Sequence, residues 1–208
     1  MTQTERRRYL IAALLKEQPQ YSKIEIPSRE QEQKSLLRSL FNKRMPLPVT
    51  DEFAAVQDAY LQEEIRRKGI TALSDLTPIQ KGIYLWRGDI TTLQCDGIVN
   101  AANSQMLGCF CPNHGCIDNA IHTFAGVQLR LACASLMKQQ GHEEETGNAK
   151  ITPAYNLPSC YVLHTVGPII HCGLTKKDKE LLASCYQSCL ELAERNWLKS
   201  IAFCCIST

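Results

Sequence analysis

The chain predicts an α/β fold, a largely parallel sheet flanked by helices and preceded by an α-helical N-terminal region. Three observations lead there. After residue 82, strand-type runs alternate with helical stretches, the pattern of parallel strands covered on both faces. Before residue 82 the apolar residues recur at helical spacing only. All 11 cysteines lie at or after Cys95, and all five histidines lie after residue 113, so the two regions differ in chemistry. We place the boundary at 80/81, with a helical extension over 1–80 and the α/β domain over 81–208.

The bulk properties agree. The chain has 208 residues, 44% apolar and 21% charged, which excludes a disordered protein. It has 23 basic and 21 acidic side chains, a net charge of +2 that weighs against nucleic acid as a partner. No apolar run reaches the roughly 20 residues of a membrane helix. Tyr9 to Leu15 lacks the small-residue cleavage site of an export signal. The expected setting is therefore cytoplasmic, with reduced thiols available for metal binding or catalysis rather than a disulfide framework.

In the N-terminal part, Ser28 with Gln31 has the form of a capping box, and Leu36, Leu37, Leu40 and Phe41 follow at helical spacing. Thr50 caps a further helix, Asp51 and Glu52 fill its first turn, and Gly69 ends it. Arg6-Arg7-Arg8 and Arg66-Arg67-Lys68 read as solvated helix faces. In the second part, Ile83–Trp86 and Gly97–Asn100 read as short buried strands. A helical stretch over Ile117–Gln140 breaks near Gly126. Strands follow at Lys150–Pro153 and Tyr161–Val166. Asp178–Asn196 is a helix with Leu181, Leu182, Cys185, Cys189, Leu190 and Leu192 on and around one face. Ile201–Ile206 reads as a strand buried on both sides.

In such sheets ligands bind at the carboxyl ends of strands, and four segments fall there. In Trp86-Arg87-Gly88-Asp89-Ile90-Thr91, Asp89 alone reads as a turn or cap residue. In Val99-Asn100-Ala101-Ala102-Asn103, small side chains admit a ligand and two amides suit sugar hydroxyls. The strongest is Gly108–His122, where Cys109, His114 and Cys116 put two thiols and an imidazole within eight residues, ahead of a helix start at Ile117. Three ligands leave a zinc ion one open position, the catalytic arrangement, and Cys111 would make a fourth. The plainer alternative is a cluster of free thiols in a loop. Asp118, in the first turn, either caps the helix or serves as a base toward water. The fourth segment holds His164 in an apolar strand run, where it reads as a satisfied core histidine.

Taken in order, Gly88-Asp89-Ile90-Thr91, Val99–Asn103, Ile117–His122 and His164–Pro168 closely resemble the macrodomain family over roughly residues 83–208. The cysteine-rich loop, where most macrodomains carry glycines, and the helical N-terminal region are similar to the zinc-containing branch of microbial protein-ADP-ribose hydrolases. The resemblance implies a role for each matched position. Asp89 and the backbone of Ile90 would hold adenine, and Asn103 would contact the distal ribose. The helix start at Ile117 would face the pyrophosphate. Asp118 would act near the scissile ribose, with Asn103 beside it in catalysis. Cys109, His114 and Cys116 would bind Zn2+. The implied partners are ADP-ribose and an ADP-ribosylated protein, with family context suggesting a lipoyl-carrier protein. A reader module that binds ADP-ribose without cutting it, and a zinc ion that only stiffens the loop, are the alternatives.

The family continues a strand like Ile201–Ile206 into a second glycine-rich phosphate loop, whereas this chain stops at Thr208. It therefore reads as a macrodomain incomplete at its C-terminus. Weakened ADP-ribose binding and exposed apolar surface are the expected consequences. Calorimetry showing the affinity of a longer homologue would overturn that expectation. Apart from Cys109, Cys111 and Cys116, the cysteines read as small apolar residues in or near the core: Cys95, Cys133, Cys160, Cys172, Cys185, Cys189, Cys204 and Cys205.

Overall fold

The structure is a computed structural model and describes residues 1–21, 23–170 and 173–207; Cys172 lies outside the described residues. Three helices come first: α1 (Gln3–Glu17), α2 (Glu30–Lys43) and α3 (Asp51–Lys68). A capping box starts α1: Thr2 Oγ1 accepts from the Glu5 N–H, and Glu5 accepts from the Thr2 N–H. The hydroxyl of Thr50 accepts from the Phe53 N–H at 3.2 Å, and Gly69, at φ +90°, ends α3, both as the sequence predicts. The three helices share a core of Leu10, Ile11, Leu14, Leu37, Leu40, Phe41, Phe53, Tyr60 and Leu61, which Val127 joins from the other region.

Two expectations for these helices are corrected. Ser28 caps nothing, because α2 starts later, with Arg29 at the cap position and no side-chain cap bond. Gln33 instead reaches back to the Pro27 carbonyl at 2.7 Å and holds the entering chain. Arg7 is buried rather than solvated, at 2% exposure. It falls on the inner stripe with Gln3, Leu10, Ile11 and Leu14, where its guanidinium donates to Gln33 Oε1 at 2.9 Å and pairs with Glu30.

A mixed four-stranded sheet forms the second region. Its strands are β5 (Gly97–Ala102), β6 (Ala149–Pro153), β7 (Tyr161–Val166) and β8 (Ile201–Ala202), in the order β6-β7-β5-β8. β5 is parallel to β7 and β8, and β6 is an antiparallel edge. Alternation divides the faces. Ile98, Val162 and Val166 pack under α4 (Ile117–Ala125) and α5 (Val127–Gln140). Val99 and Leu163 pack under α6 (Lys176–Arg195), against Cys185, Cys189 and Ala193. Gly126 separates α4 from α5 at φ +97°, as predicted.

The remaining strands are short. β1 (Thr71–Ala72) is parallel to β4 (Leu93–Gln94), and β2 (Pro78–Gln80) pairs with β3 (Ile83–Tyr84). The expected buried strand over Ile83–Trp86 is thus two residues of an exposed hairpin, because no layer covers it. The strand expected over Ile201–Ile206 pairs only at Ile201 and Ala202, and both are half-buried. Leu190 is exposed on α6, and Cys160 and Cys205 are exposed rather than core residues. Among the described residues, no helix is long and apolar enough to cross a membrane.

Candidate active site

Parallel strands β5, β7 and β8 direct their carboxyl ends to one side, and a cavity of about 720 Å³ opens there. Ala101 and Ala102 line it from β5, Gly115, Cys116 and Ile117 from the loop entering α4, Gly167 and Pro168 from the exit of β7, and Cys204 and Cys205 from beyond β8. Three of the four segments that the sequence assigned to ligand loops thus converge, with small side chains where a ligand must approach backbone, whereas Trp86–Thr91 does not line this cavity.

The loop over 108–116 crosses the left-handed region twice, at Gly108 (φ +79°) and Asn113 (φ +54°). Those turns fold it so that one ligand atom each from Cys109, His114 and Cys116 lie within 4.8 Å of one another. Cys109 Sγ is 3.7 Å from His114 Nδ1. Cys116 is also the N-cap of α4, its sulfur accepting from the Asn119 N–H at 3.4 Å. Two thiols and an imidazole at a solvent-facing loop fit a zinc ion with one position open. Cys111 is exposed and its sulfur stands outside that group; its carbonyl accepts from Asn119 Nδ2 at 2.9 Å and from the His114 N–H at 3.3 Å.

Asp118 is buried, and Asn100 Nδ2 donates to its Oδ1 at 2.8 Å. Burial pushes its carboxyl up to about 6, against the opposing pull of that hydrogen bond and the charge of Arg130. His122, one turn along α4, brings Nε2 to 3.5 Å from the same oxygen. Burial holds His122 well below its ordinary value, as do the nearby His164 and Arg130. Asn100 and His164 are register partners on β5 and β7, which puts Asn100 Nδ2 3.2 Å from His164 Nδ1. Thr152 Oγ1 meets the other nitrogen of His164 at 2.9 Å, and burial pushes the ring down to about 4. His164 is a satisfied core histidine, as expected. His122, Cys133 and His164 form a second compact group, fully enclosed beneath Asp118.

The remaining predicted residues lie around this centre. Asn103 is exposed and donates to the Gly108 carbonyl at 3.3 Å, tying the exit of β5 to the cysteine-histidine loop. Asp89 caps a short 3-10 turn over Ile90–Thr92, its Oδ1 accepting from Thr91 N–H and Oγ1 at 3.0 and 2.6 Å. Its other oxygen takes Lys68 Nζ at 2.8 Å, with Lys68 lying over the Phe124 ring. Partial burial acts to raise Asp89, but these bonds outweigh it and hold the carboxyl below its ordinary value. Arg66, Arg67 and Lys68 are exposed, as expected of a solvated helix face, and Lys68 in addition pairs with Asp89. Asn100, expected as one of two amides toward sugar hydroxyls, instead holds Asp118, and Arg38, Asn119 and His122 were not singled out as site residues.

The chain is similar to known proteins. The Macro domain family profile matches residues 99–208. Over 212 residues the chain is 62% identical to the protein-ADP-ribose hydrolase of Treponema medium, covering 100% of this chain and 81% of that protein. Over 202 residues it is 52% identical to the protein-ADP-ribose hydrolase of Staphylococcus aureus strain MSSA476, covering 96% of this chain and 76% of that protein. Among solved structures it is similar to a Trypanosoma brucei macrodomain in complex with ADP-ribose. The identity there is 33% and the TM-score 0.59, over 82% of this chain and 73% of that one.

Proposed function

The chain belongs to the macrodomain family, and on that footing we propose that it removes ADP-ribose from mono-ADP-ribosylated proteins. The observation that carries the reading is the placement of Asp118 and the Cys109–His114–Cys116 cluster on either side of Ile117, which lines the cavity at the strand ends. A module that only reads ADP-ribose needs neither a metal-competent trio nor a buried carboxylate.

The bond to be cut joins ribose C1″ to a protein side chain, and positive charge develops on the sugar as it breaks. Asp118 orients a water beneath that carbon and takes its proton. Asn100 fixes the direction of the carboxylate, and His122 stands beside it. Asn103 positions the distal ribose, and the first N–H groups of α4, at Ile117, face the pyrophosphate. Asp89 and the backbone of Ile90 hold adenine at the far end. Cys109, His114 and Cys116 would hold Zn2+, which supplies Lewis-acid polarisation of ribose hydroxyls or of water. A reducing, cytoplasmic setting would keep both thiols available.

The test measures metal content and the release of ADP-ribose from a modified protein, for this chain and for Cys116→Ala. The expected result is one zinc per chain and turnover, with Cys116→Ala losing both while its circular dichroism is unchanged. Turnover that survives Cys116→Ala would overturn the zinc part of the reading. Running the assay on an ADP-ribosylated lipoyl-carrier protein beside an unrelated modified protein tests the substrate, with faster release from the carrier expected.

A further inference from the structure

The N-terminal helical region meets the metal loop through one polar stripe of α2. Ser35, Arg38, Ser39 and Asn42 recur at helical spacing and face residues 113–119. Asn113 Nδ2 donates to the Ser35 and Ser39 hydroxyls at 3.0 and 2.7 Å, and its backbone N–H donates to Asn42 Oδ1 at 3.0 Å. Asn113 is the left-handed non-glycine residue of the loop, a conformation that needs holding in place.

Arg38 is the centre of the stripe. Its Nε and Nη2 both donate to Asn119 Oδ1, at 3.0 and 2.8 Å, and Nη2 also donates to the His114 carbonyl at 3.0 Å. Asn119 in turn donates from Nδ2 to the Cys111 carbonyl at 2.9 Å and from its backbone to Cys116 Sγ at 3.4 Å. One guanidinium therefore touches His114 directly and reaches Cys116 through Asn119.

We infer that Arg38 is a positioning residue for the metal loop, through which the helical extension pre-sets two of the three ligand residues. The inference rests on the reading of Cys109, His114 and Cys116 as a zinc site. Ligands held before the metal arrives are not ordered at the moment of binding, and partners of this kind are worth roughly 10–100-fold in metal affinity. A lysine cannot stand in fully, because its ammonium is a point donor and lacks the planar fork that spans two acceptors.

The test is zinc affinity by competition with a chromophoric chelator, the absorption spectrum of the Co2+-substituted protein, and the melting temperature of the metal-free protein. These are measured for the full chain, Arg38→Met and Arg38→Lys. The expected result is a 10–100-fold loss of affinity in Arg38→Met, an altered cobalt spectrum, and an intermediate Arg38→Lys. Affinity unchanged in Arg38→Met overturns the inference, and so does a lower metal-free melting temperature without any loss of affinity. Should Arg38→Met fail to fold, the Ser35→Ala/Ser39→Ala double variant, which frees the Asn113 side chain alone, must still weaken zinc binding severalfold; unchanged affinity there also overturns it. A wild-type chain that binds no zinc removes the zinc reading and this inference together, whereas tight wild-type binding with an equally tight Arg38→Met removes this inference alone.

Discussion

His164 is kept neutral by burial, and that makes stability depend on pH. Its value of about 4 in the folded chain compares with 6.5 for an ordinary histidine. Between those values the unfolded chain binds more protons, so stability is present above about 6.5 and is lost as pH falls toward 4. The contribution is about 3 kcal/mol. His122 acts in the same direction. Asp118, raised to about 6, acts in the opposite one, its contribution fullest at low pH and lost as pH rises through 6. His164→Gln isolates the first effect. Urea denaturation at pH 7 and pH 4 should show the wild-type advantage over the variant shrinking by about 3 kcal/mol; a constant difference would mean that the ring is not held neutral. Gly108 offers a second residue-scale test. At φ +79° it is strained for any other residue, and an added Cβ would sit 2.7 Å from the His122 ring. Gly108→Ala is expected to cost about 1–3 kcal/mol and to weaken zinc binding, since the loop cannot keep its path.

Among the elements, the helix ends are where local sequence speaks most directly. Thr50 is adjacent to Asp51 and Glu52, and the cap it predicts is present. Thr50→Ala should cost about 1 kcal/mol, measurable as a lower urea midpoint with an unchanged slope; no shift would mean that water replaces the cap. Ser28 looked as suitable but caps nothing, because Gln33 of α2, held by Arg7 from α1, fixes the entry to the helix. Strand lengths follow the same rule. With both faces covered, β7 matches its apolar run and β5 extends two residues past Asn100, whereas the run from Ile201 pairs over two residues only.

Across the whole molecule, the helical region and the sheet are joined by a polar hub at Asp58. Its Oδ1 accepts from Gln57, Gln128 and Asn156 at 3.2, 2.9 and 2.7 Å, while Gln57 Oε1 accepts from the Val127 N–H at 3.0 Å. Ile65 and Val127 each pack into the other region's core. Asp58→Ala leaves Gln128 Nε2 without its acceptor and takes one acceptor each from Gln57 and Asn156, and should lower stability by about 2 kcal/mol. With the cores interlocked, unfolding should remain a single transition by both fluorescence and circular dichroism. Two separated transitions in the wild-type chain would show that the two regions are energetically independent.

The sequence by itself determined the α/β class, the positions of the central strands β5 and β7, the break at Gly126 and the cysteine-histidine loop. Each of these depends on periodicity or on spacing within a few residues. Tertiary structure alone decided that Arg7 is buried, that Lys68 reaches Asp89, that Cys111 stands apart from the trio, and that Arg38 braces the loop. The physical reason is separation along the chain. Arg38 and Asn119 are 81 residues apart, and a helix-surface arginine carries no local mark of the acceptor that packing will bring to it.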